Sequence, residues 1–411
     1  MRPRRAEFDW LRREPLRTLL AILNGDGIET RVVGGAVRDA LIGREIGDVD
    51  LATTGLPEEI ARRATLAGFR PVPTGLEHGT VTVVADGRAF EVTTLRHDVE
   101  TDGRRAVVRF GNDWEEDARR RDFTMNALYV EADGTIQDPL GGCEDALAGR
   151  VRFIGEAERR IAEDHLRILR FFRFHAGYGQ GDPQPADLAA CVRLRLTLLR
   201  LSAERVRQEM LRLLVPPRAA AALRVMSETG ILQIVIGGVD RLPAFERLAR
   251  LEETLDEAAE PVRRLGALAV IVEEDASRLF DRLRLSKVES RRLLAMAEAR
   301  PRLKSPADEA PAKEVLYRNG PELYADIVRH AAASEARDAD ALAGWHDLVR
   351  LPQRWTAPAF PLNGGDVAAL GARGREIGQT LKALEAAWIA GGFSGGREHW
   401  LARAAELLPR G

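Results

Sequence analysis

Apolar positions along the chain follow three successive patterns. Leu16, Leu19, Leu20 and Leu23 recur at helical spacing and predict a helical lead-in over residues 7–24. From residue 28 to about 140, strand and helix signals alternate. Val32-Val33 ends a strand, Gly34-Gly35 makes a tight turn, and Ala36 to Ile42 reads as a short helix stopped by Gly43. Pro57 opens a further helix that Gly68 closes. Thr80 to Thr94 is a hairpin turning at Asp86-Gly87. Pairing across that turn sets Val83 against Phe90 and Val81 against Val92 on a buried face, which leaves Glu91 opposite Thr82 on the other. Residues 96–119 are polar, contain glycine and exceed a simple connection, so a mobile functional loop is expected there. Beyond Asp145 the pattern is helical almost to the end. One helix is expected over Glu156 to Tyr178, with Ile161, Ile168, Leu169 and Phe172 on an apolar arc. Pro216-Pro217 punctuates the helices, and Pro301 to Lys313 is the best linker candidate.

A chain of 411 residues, 45% apolar and 30% charged, has room for two or three domains, each with its own core. It contains no apolar run of membrane-spanning length, and no secretion core follows the basic start Met1-Arg2-Pro3-Arg4-Arg5. Cys143 and Cys191 fit no metal-ligand spacing and read as packed thiols of a cytoplasmic protein. A net charge of −2 confines any nucleic-acid contact to local patches. Such patches exist: Arg193 to Arg218 holds seven arginines against Glu204 and Glu209. Lysine occurs only at 287, 304, 313 and 382, so arginine is the default base here and its clusters say less about phosphate.

The strongest chemical signal is Gly34-Gly35-Ala36-Val37-Arg38-Asp39 followed by Asp48-Val49-Asp50. A diglycine turn lets backbone N–H groups approach phosphates, and Arg38 adds a planar cation. Strand periodicity puts Asp48 and Asp50 on one face, where their hard oxygens suit Mg²⁺. Glu91 is either a third carboxylate for that site or a solvent-facing residue, the two readings being about even. Asp164 and Arg167, one turn apart, are either an ordinary ion pair or a base reader. Cytosine and adenine each present an amine donor beside a ring-nitrogen acceptor, which a carboxylate and a guanidinium match; guanine and uracil present the reverse order. Arg119-Arg120-Arg121-Asp122-Phe123-Thr124-Met125-Asn126-Ala127, expected to run into a strand, adds a second cationic element in which Arg120 or Arg121 could hold ribose or triphosphate.

These elements together resemble the class II tRNA nucleotidyltransferases, the bacterial CCA-adding enzymes, within the poly(A) polymerase-related superfamily. Five motifs follow the family's order: the diglycine with Asp48 and Asp50, Arg120 to Ala127, Asp138-Pro139 with Gly141-Gly142, Glu163-Asp164-His165-Leu166-Arg167, and Ser202 to Glu209. Leu362 to Trp388 resembles the family's tail more loosely.

The resemblance implies an α+β fold with a polymerase-β-like mixed sheet in the head, followed by an all-α neck, body and tail in a seahorse shape. The divisions expected are a lead-in at 1–27, the catalytic head at 28–150, the neck with the base-reading motif at 151–215, the body at 216–300 and a tRNA-binding tail at 301–411. It further implies CCA addition and repair at the tRNA 3′ end with CTP and ATP, and Mg²⁺ on Asp48 and Asp50, with Glu91 a less secure ligand. Nucleotide would be bound by Gly34, Gly35, Arg38, Arg120, Arg121, Asp122, Asn126, Asp164, Arg167, Arg170 and Arg173. No obligate protein partner and no accessory phosphohydrolase are expected, since His346-Asp347 stands alone in a predicted helix.

Poly(A) polymerases share these motifs, and a CC-adding enzyme is a second alternative. The segment His78-Gly79-Thr80-Val81-Thr82-Val83-Val84 and the lack of a long arginine-rich C-terminal extension favour CCA addition over the first. The family ties the final A to a flexible loop, which Asp98 to Arg105 would supply.

Overall fold

Period-two alternation in the first third of the chain builds one mixed sheet. A computed structural model describes residues 4–5, 8–75, 79–102, 105–307 and 309–408, with the backbone alone at 4–5, 97–102, 105–108 and 339. Met1-Arg2-Pro3, His78, Gly103, Arg104 and Asp308, all within segments singled out above, lie outside the described residues.

The elements of the head, in chain order, are β1 (Arg4–Arg5), α1 (Leu16–Leu23), β2 (Thr30–Val33), α2 (Gly35–Leu41), β3 (Asp50–Thr53), α3 (Pro57–Leu66), β4 (Arg70–Gly75), β5 (Thr80–Ala85), β6 (Arg88–Thr94), β7 (Arg96–Asp102), β8 (Arg105–Phe110), α4 (Trp114–Arg119), β9 (Tyr129–Val130), β10 (Thr135–Gln137) and α5 (Gly142–Leu147). The sheet order is β1-β10-β9-β2-β3-β6-β5-β4, with β3 and β6 parallel and every other neighbouring pair antiparallel. The hairpin β5–β6 has the expected register, with Val81, Val83, Phe90 and Val92 all buried. Positive φ at Asp86 (48°) and Gly87 (76°) gives its turn the twist that antiparallel strands need. The lead-in becomes a 3₁₀ turn at Asp9–Arg12 and then α1, whose four leucines are buried as the spacing predicts.

Several of these expectations need correction. The stretch 96–119 is an antiparallel ribbon, β7 with β8, followed by α4; a register shift between Asp98 and Glu100 marks a bulge. Among the described residues the ribbon pairs with no strand of the main sheet, and the polar run Arg96 to Asp102 is hard to tell from a loop by sequence. Asp48 lies before β3 rather than in it, since β3 begins at Asp50. Asp122 to Ala127 does lead into a strand, as expected, by way of a 3₁₀ turn at Thr124–Asn126. The expected linker does not separate two cores, because Leu303 and Ala312 are buried in one cluster with Leu251, Tyr324 and Trp345.

The helix expected over 156–178 is likewise two helices, α6 (Ala157–Glu163) and α7 (Arg167–Tyr178). Asp164 is extended between them, with φ −151° and ψ 107°. The neck continues with α8 (Pro185–Leu194) and α9 (Ala203–Leu213), and Pro216-Pro217 separates α9 from α10 (Ala219–Glu228). Among the described residues the remainder is helical. The chain divides into two compact units, Met1–Asp240 with Arg282–Arg284, and Arg241–Asp281 with Leu285–Gly411. No helix among the described residues is long and apolar enough to cross a membrane.

Candidate nucleotide and metal site

The strand β2 delivers the chain to Gly34, whose φ of 76° and ψ of −122° lie where side chains with a Cβ are strained. Gly35 then opens α2, and a Cβ built there meets nothing closer than Arg38 Nη2 at 3.6 Å. The fold therefore needs glycine at 34 for conformation. At 35 the space is open, and glycine leaves the backbone approachable to a ligand.

Arg38 is 5% exposed, and with Gly34 and Gly35 it lines a cavity. It donates to Asn126 Oδ1 at 2.5 Å, to Asp39 Oδ1 at 3.0 Å and to Tyr178 Oη at 2.6 Å. It also lies 3.8 Å from the centre of the Tyr178 ring.

Asp117, in α4, organises the second cationic element. It is 1% exposed and receives hydrogen bonds from Arg120 Nε at 2.7 Å, Arg121 Nη2 at 3.0 Å and Tyr129 Oη at 2.8 Å. Burial pushes this carboxyl up, but Arg121, Arg120 and the Tyr129 hydroxyl outweigh that and hold it below the usual range. Asp122 plays a similar part: burial raises it, while Arg170 and Asn126 hold it low. Its carboxylate accepts from Arg170 Nε at 2.8 Å and from Asn126 Nδ2 at 3.0 Å. Backbone bonds from Thr124 N to Arg152 O and from Ile154 N to Asp122 O zip this motif to the start of the neck. Phe123 is buried there among Phe153, Phe171 and Phe174.

The break between α6 and α7 presents the two residues expected to read a base. Asp164 and Arg167 share a backbone bond, Arg167 N to Asp164 O at 3.0 Å, while their side chains go to other partners. Asp164 Oδ2 accepts from Arg205 Nη2 at 2.7 Å, and its Oδ1 from Leu166 N at 3.1 Å. Arg167 donates to Glu163 Oε2 and to Arg160 O, both at 2.7 Å. Farther along α7, Arg173 donates to the buried Glu209 of α9 at 2.6 Å.

A cavity of about 430 Å³ gathers Gly34, Gly35, Arg38, Asp50, Arg120, Arg121, Asp122, Asn126, Asp164, Arg167 and Arg170, together with Phe174. Of the residues singled out from sequence, Asp48, Glu91 and Arg173 do not line it. Asp48 faces a neighbouring cavity of about 870 Å³, and Arg173 is held back by Glu209. Glu91 pairs in register with Asp50 across the parallel strands β3 and β6, and its side chain is exposed. The Asp50 carboxyl is pushed above the usual range, first by desolvation and then by Glu91, with Asp48 adding to it and Arg121 opposing.

That mutual repulsion is what a cation relieves. Among the described residues no three His, Cys, Asp or Glu side chains are close enough together to cage a metal. Asp50 in the wall of the cavity leaves room for a divalent cation held by one or two carboxylates, its shell completed by water and substrate phosphate.

Sequence reasoning passed over Asp117 and Tyr178, and it gave Arg205 and Glu209 no individual role although both lie in the motif Ser202 to Glu209. Each acts by holding another side chain across the fold. The i,i+3 and i,i+4 spacing of Asp117 to Arg120 and Arg121 was a signal available for the first; contacts as distant in sequence as Arg38 with Tyr178 leave none.

A mixed sheet with a diglycine turn, an acidic pair at one strand end and an arginine-lined cavity defines a nucleotidyltransferase. The family model described as "Poly A polymerase head domain" matches residues 30–152, and "Probable RNA and SrmB- binding site of polymerase A" matches 184–242. The human mitochondrial CCA tRNA nucleotidyltransferase 1 is 34% identical, the match covering 94% of this chain and 89% of that one. The CCA-adding enzyme of Limosilactobacillus fermentum is 30% identical over 96% and 97%. The crystal structure of the Bacillus stearothermophilus CCA-adding enzyme in complex with CTP superposes with a TM-score of 0.75 at 30% identity, covering 96% of this chain and 98% of that one. The chain belongs to the family of CCA-adding tRNA nucleotidyltransferases.

Proposed function

We propose that this chain completes and repairs the 3′-terminal CCA of tRNA, taking CTP and ATP without a nucleic-acid template. The observation that carries the reading is the single cavity joining the diglycine turn, Arg38, Arg120 and Arg121 to Asp164 and Arg167, with Asp50 in its wall. In this reading the backbone at Gly34 and Gly35, with Arg38, Arg120 and Arg121, holds the triphosphate. Asp164 accepts from the exocyclic amine of cytosine or adenine, and Arg167 donates to the adjacent ring nitrogen. Asp122, Asn126, Arg170 and Arg173 keep these groups in place. The tRNA 3′ hydroxyl attacks the α-phosphorus in line, the bond to the bridging oxygen breaks, and pyrophosphate leaves.

The family depends on a divalent cation; here Asp48 and Asp50 would hold it as Mg²⁺, with Glu91 as a further ligand. When bound, the ion neutralises charge on the attacking and leaving oxygens. A cytoplasmic location belongs to the same proposal and is supported by two buried cysteines that form no disulfide.

The test is incorporation on tRNA transcripts ending before CCA, after C and after CC, read at single-nucleotide resolution with each NTP. Growth that stops at CCA and refuses UTP and GTP is expected. A halt at CC would indicate a CC-adding enzyme, and unlimited A addition a poly(A) polymerase.

A further inference from the structure

The helix α9 presents Arg205 and Glu209, one turn apart, toward the region that carries Asp164 and Arg173. Their charges are complementary to what they meet: Arg205 holds Asp164 at 2.7 Å, and Glu209 holds Arg173 at 2.6 Å. Asp164 sits in an extended break between helices, so no helical neighbour on its own element fixes its carboxylate. Its two oxygens are fixed instead by Leu166 N and by Arg205, which are part-buried partners. Arg167 is held independently by Glu163 and the Arg160 carbonyl.

We infer that Arg205 is a positioning residue that sets base selectivity, by clamping the Asp164 carboxylate where it meets an amino group and not a ring N–H. This rests on the base-reading role proposed for Asp164 and Arg167. Cytosine offers N4–H₂ and the N3 acceptor; uracil offers O4 and N3–H. A clamped carboxylate opposite O4 meets acceptor with acceptor, and Arg167 opposite N3–H meets donor with donor. A carboxylate free to swing can shift to the N3–H of uracil and let Arg167 turn to O4, which removes the mismatch. Arg205 never needs to touch the nucleotide for this. It holds the oxygen that the wrong base would need to move.

The experiment measures kcat/KM for CTP and for UTP with the full-length enzyme on one tRNA transcript lacking CCA. Losses of folded fraction or tRNA affinity cancel in the CTP-to-UTP ratio. Arg205→Ala and Arg205→Gln should lower that ratio roughly tenfold or more, the scale expected when a charge-assisted hydrogen bond is lost. Arg205→Lys, which keeps a cation beside Asp164, should recover most of it. If Arg205→Ala does not fold, the Gln and Lys variants decide. A ratio within about twofold of wild type in the foldable neutral variants, well short of the loss expected for a charge-assisted bond, overturns the inference, as does a Lys variant as unselective as they are. A wild-type enzyme that accepts UTP as well as CTP would instead sink the base-reading role itself, whatever Arg205 does.

Discussion

Asp117 shows how much one buried carboxylate can organise. Three side chains converge on it, and its charge persists in a buried position only because Arg120 and Arg121 surround it. Asp117→Asn should therefore loosen both arginines. The expected result is a KM for CTP raised by about tenfold or more, with a stability loss of roughly 3 kcal/mol, the scale for breaking a buried pair; steady-state kinetics and urea titration check the two effects separately. The two glycines should part company in the same assays. Gly34→Ala strains a backbone at positive φ and should cost about 1–3 kcal/mol in stability. Gly35→Ala meets only ordinary contacts, so it should fold normally and weaken nucleotide binding alone. Nucleotide titration by calorimetry distinguishes them. At this scale the sequence was legible where a local motif sets placement: Gly34, Gly35 and Asp50 line one cavity. It was silent on the partners of Tyr178 and Arg205, because these lie far away in sequence and only folding brings them near.

Elements decide which of these residues can act together. The break between α6 and α7 is the clearest case, since unbroken helical periodicity would have left Asp164 and Arg167 as an exposed ion pair. The extended conformation at Asp164 separates them and hands each to a different partner. The closing turn of the head works by close approach. Asp138 accepts from Gly142 N at 2.7 Å and Cys143 N at 3.0 Å, and a Cβ at Gly142 would lie 2.1 Å from Thr124 O. Gly142→Ala should thus displace the 3₁₀ turn that carries Asn126, lowering both melting temperature and CTP incorporation. The ribbon β7–β8 offers a contrasting expectation, because it forms a sheet of its own. Replacing residues 98–107 by a short turn should leave the main sheet folded and C addition intact while the final A is lost; full loss of C addition would show that the ribbon also serves the common chemistry. The ribbon escaped notice because its first strand, Arg96 to Asp102, holds Val99 as its one apolar residue, so period two carries little apolar signal there.

On the scale of the whole molecule, the two units have separate cores and should answer to different perturbations. CTP at a hundredfold excess over its Kd should stabilise Met1–Asp240 by about 2.7 kcal/mol. Hydrogen exchange should slow there more than around the cluster of Leu251, Tyr324 and Trp345. That second unit carries its own pH sensitivity in His330. Burial, reinforced by Arg241 and Arg300, pushes its imidazole down to about 4. The unfolded chain takes up a proton at this histidine below about pH 6.5, whereas the folded chain does not until about pH 4. Stability is therefore complete above pH 6.5 and falls by roughly 3 kcal/mol as pH drops to 4. Denaturant melts of wild type against His330→Leu should differ in slope within that window and run parallel above it.

Local chemistry and periodicity determined by themselves the α+β head, the helical remainder, the hairpin register and the motifs that mark the family, because each depends on residues near one another in the chain. Tertiary structure alone decided that Asp164 belongs to Arg205, that Asp122 holds Arg170, and that the core of the second unit runs across the expected linker. Those outcomes depend on which buried charges find partners and which apolar faces meet, and both are settled only when distant segments pack.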